Sequence, residues 1–122
     1  MNSLQLGADE SGTEPEHSAE IRRLNDAFRQ SFTGGRVMLT AGVGALSDRV
    51  RGEIIAAVRA FDAFDADNDP HREHDFGALT VAGHRVFWKI DAYDRSLRLH
   101  SPDAADPKVT VRVLTLMLAE EW

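Results

Sequence analysis

Residues 76–91 narrow the possible folds more than any other part of the chain. Phe76 to Val81 and Arg85 to Asp91 flank Ala82-Gly83-His84, and apolar residues recur at every second position along both arms. Strand side chains point alternately to opposite faces, so this pattern around a short glycine-containing connection specifies an antiparallel hairpin with one buried face. Leu79, Val81, Val86, Trp88 and Ile90 then face a core, while Phe87, Lys89 and Asp91 face away. Tyr93-Asp94-Arg95-Ser96 turns the chain again into Leu97-Arg98-Leu99-His100. The expectation is a three-stranded meander with Leu97 and Leu99 inward and Arg98 and His100 outward.

Helical spacing dominates the preceding half. Ile21, Leu24, Phe28 and Phe32 recur at helical intervals over 18–32, which puts Arg22, Arg23, Asp26 and Arg29 on the other side. Thr33-Gly34-Gly35 ends that helix, and Arg36 to Thr40 reads as a short strand. Gly42 and Gly44 break the chain before Ser47, an N-cap residue, opens a second helix through Phe61 with Val50, Ile54, Ala57, Val58 and Phe61 on one face. The last segment carries two signals. Val109, Val111 and Val113 alternate like a strand, while Asp106-Pro107 marks a helix start; the length of 107–121 favours a third helix. The fold class expected is α+β: a small, largely antiparallel sheet of about four strands, including the meander, with three helices. Residues 1–16, polar and acidic, read as a flexible tail ahead of one domain over 17–122.

Charge is unevenly placed. The formal net charge is −6; residues 1–16 hold four acids and no base, and Asp62 to Asp75 holds six acids against Arg72 alone, leaving the body mildly basic. Two acidic appendages on such a body exclude the concentrated cationic face that nucleic-acid binding needs. Cysteine is absent, which removes disulfides, thiolate metal sites and cysteine nucleophiles. No basic segment precedes an apolar h-region, and no apolar run approaches the roughly 18 residues of a membrane span. A cytoplasmic location is expected, with no membrane association and no cofactor.

The acidic loop offers several chemistries in part. Asp65, Asp67 and Asp69 have the spacing of the first three ligands of a calcium loop, but Pro70 stands where glycine is required and Phe76 where the bidentate Glu belongs. His71, Glu73, His74 and Asp75 are good transition-metal donors at unhelpful spacing. Gly42 and Gly44 form only a fragment of a phosphate-binding loop. Serines lack any nucleophile-elbow context, so no catalytic residue is assigned. Phe87 lies on the outer face of the hairpin and needs cover, from one of the helices or from a partner with an aromatic anchor site.

Leu24-Asn25-Asp26-Ala27-Phe28, Phe61-Asp-Ala-Phe-Asp65, Asn68-Asp69-Pro70, Glu73-His-Asp-Phe-Gly77, Phe87-Trp-Lys-Ile-Asp91, Tyr93-Asp94 and Ser101-Pro-Asp103 together resemble a family of small bacterial domains of unknown function. The resemblance covers about residues 20 to 122. Such domains are often encoded on plasmids and other mobile elements, which implies by analogy a small protein that binds host machinery, such as an inhibitor of a restriction or CRISPR complex. The function expected is therefore non-catalytic protein binding. Asp65, Asp67, Asp69, Glu73, Asp75, Phe87, Lys89 and Asp91 would meet a partner with a basic surface. The competing expectation is a metal-assisted hydrolase or nuclease centred on His71, Glu73, His74, Asp75 and Asp91.

Overall fold

The computed structural model describes residues 16–122; the expected acidic tail, apart from Glu16, lies outside the described residues. Helix α1 spans Glu16–Ser31, strand β1 Gly35–Leu39, a single helical turn α2 Ala41–Gly44, and helix α3 Asp48–Arg59. Strands β2 (Phe76–Val81), β3 (His84–Tyr93) and β4 (Val111–Leu118) follow, with 3-10 turns at Pro107–Val109 and Ala119–Glu121. The sheet runs in the order β1-β4-β3-β2. β1 lies parallel to β4, and the other neighbours are antiparallel. The fold is thus α+β, with three helices and a four-stranded mixed, mostly antiparallel sheet among the described residues.

Several elements form for the reasons their residues suggest. Ser47 caps α3, its hydroxyl accepting the Val50 N–H at 3.2 Å. The β2–β3 turn holds Ala82 at φ 51° and Gly83 at φ 82°, the left-handed pair that matches strand twist in a two-residue hairpin. Val86, Trp88, Leu114 and Leu116 are fully buried against Val43, Ile54 and Val58 from α2 and α3, with Phe28 of α1 completing the cluster. All three helices therefore cover one face of the sheet.

Two expectations are corrected. The segment 107–121 is not a helix: Asp106 does cap the Lys108 N–H at 2.9 Å, but the turn it starts ends at Val109. From Val111 the chain is extended and lies between β3 and β1. Leu114, Leu116 and Leu118 then point into the core, and pairing on both sides outweighs a local helix start. Nor do Leu97 to His100 form the third strand of the meander; that place is taken by β4. Asp94 Oδ1 accepts from Ser96 Oγ and from the Arg98 and Leu99 N–H groups, winding the segment into a turn with Leu97 at φ 64°. Only an isolated bridge joins Tyr93 to His100, and Leu99 is 70% exposed.

Gly77 faces Trp88 across the hairpin. A Cβ there would sit 2.7 Å from the indole Cε2 and 2.8 Å from the Phe61 ring, and Trp88 is too enclosed to retreat. Gly77→Ala is expected to destabilise the fold by about 1–3 kcal/mol, read by chemical denaturation. An unchanged midpoint would contradict this packing.

Candidate functional site

The loop between α3 and β2 has two ends with different work. At its tip, Asp65 Oδ1 accepts the Asp67 and Asn68 N–H groups, both at 2.9 Å, and the Asn68 amide spans Asp65 N and Ala63 O. These are self-contained Asx turns. Asp62, Asp65 and Asp67 stay exposed to water. At its base Asp69 is 5% exposed, and its Oδ1 accepts from Glu73 N and His74 N at 3.1 and 3.0 Å. Those bonds hold Arg72 and His74 in left-handed backbone, at φ 58° and 54°. Asp69 is thus withdrawn from the surface at which it was expected to meet a partner.

Behind the base lies a polar network that fastens the loop to α1. His74 Nδ1 lies 2.8 Å from Asp26, its Nε2 lies 3.5 Å from Asp69, and its ring stacks on Phe64 with centroids 3.7 Å apart. Asp26 also accepts from Arg29 at 3.0 Å, and Arg29 donates to the Phe61 carbonyl at 3.1 Å. The Arg29 guanidinium sits 5.1 Å from the Trp88 ring and 5.4 Å from Phe64. One turn earlier, Asn25 donates to the Glu73 carbonyl and accepts from Arg112 Nε. Burial lowers the Arg112 pKa, with Glu20 and Glu73 opposing. Arg29 was expected on the solvent side of α1 and is 1% exposed. The signal was present, since Ile21, Asn25, Phe28 and Arg29 fall at i, i+4, i+7 and i+8, one continuous inward stripe.

Glu73 and Asp75 line a small cleft of about 110 Å³ with Asn25, Asp91 and His100. Both carboxyls are pushed above their ordinary values of 4.5 and 3.8. For Glu73 burial is the main cause and the Asp75 charge the next. For Asp75 burial is again the main cause, opposed by a backbone N–H and reinforced by the charges of Asp69 and Asp91. A raised folded pKa stabilises the fold fully below the ordinary value, and that contribution is lost as pH rises through the raised one. Changing Glu73→Gln and Asp75→Asn together should therefore raise the thermal midpoint at neutral pH. The advantage should shrink as pH falls into the ordinary carboxylate range. The difference between variants is the quantity to follow, because Glu121, held low chiefly by the Thr40 hydroxyl, contributes with the opposite sign. An advantage that does not vary with pH would contradict the assignment.

On the sheet face away from the helices, Phe87 contacts Phe76 and Trp122. The three rings lie 5.5–5.7 Å apart at steep angles, an edge-to-face cluster. Trp122 is 70% exposed. Lys89 and Asp91 pair at 3.0 Å beside it, and Val111, Val113 and Thr115 of β4 continue the face half-buried. A groove of about 370 Å³ joins this face to the loop base, with His71, Asp75, Phe76, Lys89, Asp91 and Trp122 on its walls. Asp75, Lys89 and Asp91 thus line one groove, with Phe87 one ring away. Trp122 was not foreseen, because it enters only through the close of β4.

The donors proposed for a metal-assisted reaction are divided. His74 turns toward Asp26 and Asp69, Glu73 lies in the smaller cleft, and His71 lies on the open groove wall. Among the described residues no three His, Asp or Glu side chains are grouped to hold an ion. The Gly42 N–H, offered to a phosphate by the sequence, instead meets Glu121 Oε2 at 2.8 Å.

No curated protein and no solved structure matches this chain. Residues 39–121, from the end of β1 to the final 3-10 turn, match the family described as Protein of unknown function (DUF3768). The match leaves out α1, which supplies Asn25, Asp26 and Arg29, and stops one residue short of Trp122, yet it takes in the loop, the rest of the groove wall and most of the sheet. With well over half its length inside that match, the chain belongs to this family of proteins of unknown function.

Proposed function

We propose that the chain is a protein-binding domain that docks through the sheet face opposite the described helices, with Phe76, Phe87 and Trp122 as anchors and Lys89, Asp91 and Asp75 as the charged rim. The observation that carries the reading is the aromatic cluster itself, on the sheet face away from the helices, with Trp122 largely exposed. Aromatic anchors within a polar rim are the residues from which interfaces draw most of their affinity. The partner in this reading has a basic surface, because the loop beside the groove presents Asp62, Asp65 and Asp67 to water. The resemblance to mobile-element proteins extends the proposal to an inhibitor of a host restriction or CRISPR complex. The divided donor set favours binding over the metal-assisted hydrolase.

Charge at the loop tip acts on encounter more than on the final complex. Once affinity capture has named the partner, Asp62→Asn with Asp67→Asn should slow association several-fold at low salt and flatten its salt dependence, with dissociation unchanged. Unchanged association kinetics would remove the loop from the interface.

A further inference from the structure

Among the described residues β1 is an outer strand of the sheet, and its own sequence carries none of the usual guards against pairing with another chain. It contains neither proline nor lysine, its single charge is Arg36, and four of its five residues are exposed. Met38 and Leu39, at 53% and 38% exposure, are two of the four large apolar side chains left exposed among the described residues. The direction of its backbone groups follows from one bond. Thr40 N–H reaches the Leu116 carbonyl of β4 at 3.1 Å, so residues two and four back, Met38 and Arg36, also turn toward β4. Gly35, Val37 and Leu39 therefore present their N–H and C=O groups outward.

We propose that β1 pairs with β1 of a second copy, antiparallel about a two-fold axis at Val37. That register makes Val37 and its counterpart a hydrogen-bonded pair, and Gly35 and Leu39 another on either side, for roughly six inter-chain bonds. Arg36 of each copy falls opposite Met38 of the other, so no like charges meet across the seam. A one-residue slip centred on Arg36 would set the two arginines face to face. The acidic loop leads into β2, the opposite edge of the sheet, which keeps the largest repulsion between copies away from the seam. A shared edge would place two aromatic faces on one continuous sheet.

Sedimentation velocity on the full chain, from micromolar to submillimolar concentration, tests this. The wild type should form a dimer. Val37→Pro removes an outward N–H and no bond to β4, so it should give a folded monomer. Met38→Arg, opposing two arginines, should weaken the dimer about tenfold, whereas Met38→Glu, facing Arg36 of the second copy, should tighten it by a similar factor. Circular dichroism checks that each variant keeps its fold, and the Met38 pair decides the matter should proline disturb the strand. A wild type that stays monomeric throughout, or one whose β1 amides are protected only by a foreign strand, overturns the proposal. So does a dimer indifferent to the sign of the charge at position 38.

Discussion

Arg29→Ala is expected to destabilise the protein by about 3–5 kcal/mol, a large share of the total for a domain of this size. The side chain is 2% exposed, so its removal leaves a cavity between Phe64 and Trp88 as well as breaking contacts. Asp26 would lose its guanidinium partner at 3.0 Å, and the Phe61 carbonyl its donor at 3.1 Å. Asp26, with a side chain 29% exposed, keeps contact with water, so most of the loss comes from the cavity and from the buried Phe61 carbonyl left without its donor. Arg29→Met, which fills much of the volume without the charge, should recover part of the loss but not all. Arg29→Lys should also fall short, since an ammonium cannot reach Asp26 and Phe61 with the spread of a guanidinium. Denaturant titration of the three variants checks this. A loss under 1 kcal/mol for alanine would mean that Arg29 is not held as described.

The loop should loosen in the same experiment. Asp26 ties Arg29 to His74, and His74 with Asp69 shapes the base from which the acidic tip projects. Amide exchange should therefore rise from Asp65 to Asp75 in Arg29→Ala beyond any global change.

Trp122→Ala and Phe87→Ala should each weaken partner binding by about thirtyfold or more, the scale of an interface anchor losing roughly 2 kcal/mol. Their effects on stability should differ. Trp122 is 70% exposed, so its loss should scarcely move the thermal midpoint, whereas Phe87 is half-buried against the neighbouring rings and should cost somewhat more. Affinity falling without stability separates an anchor from a core residue. The two changes together should fall short of additive, because the rings touch at 5.5 Å and act as one cluster.

Much of the architecture was legible in the residues. The hairpin follows from alternation around Ala82-Gly83, and Ser47 marks the start of α3 because its hydroxyl has an orphan amide to serve. β4 was not legible, since Asp106-Pro107 starts a turn of helix whether or not the helix continues. What ended it was the vacancy between β1 and β3, a tertiary fact invisible to a local window. Leu97 and Leu99 misled for a similar reason, as alternation alone does not reveal that Asp94 captures the Arg98 and Leu99 amides.

The candidate site was legible at its surface and opaque beneath. Phe87, Lys89 and Asp91 could be placed from the pleat of β3, and Asp75 from its position at the end of the acidic loop beside β2. Asp69 looked like its solvated neighbours because composition cannot distinguish a carboxylate facing water from one facing two backbone amides. Arg29 and Asn25 were hidden by the habit of assigning polar residues to the wet side of a helix, which fails where the polar groups find partners inside. The cover over Phe87 had two readings, a helix or a partner; every described helix packs on the other face, and among the described residues Phe76 and Trp122 lie against the ring.

The most direct test is affinity capture from the native host with wild type and with the Phe87→Ala, Trp122→Ala double variant side by side, after both are shown to fold. A protein with a basic surface retained by the wild type and lost from the variant, and then reconstituted from purified components, is the predicted result. The same proteins retained equally by both, or none retained by the wild type, would contradict the assignment of the open sheet face as the docking surface.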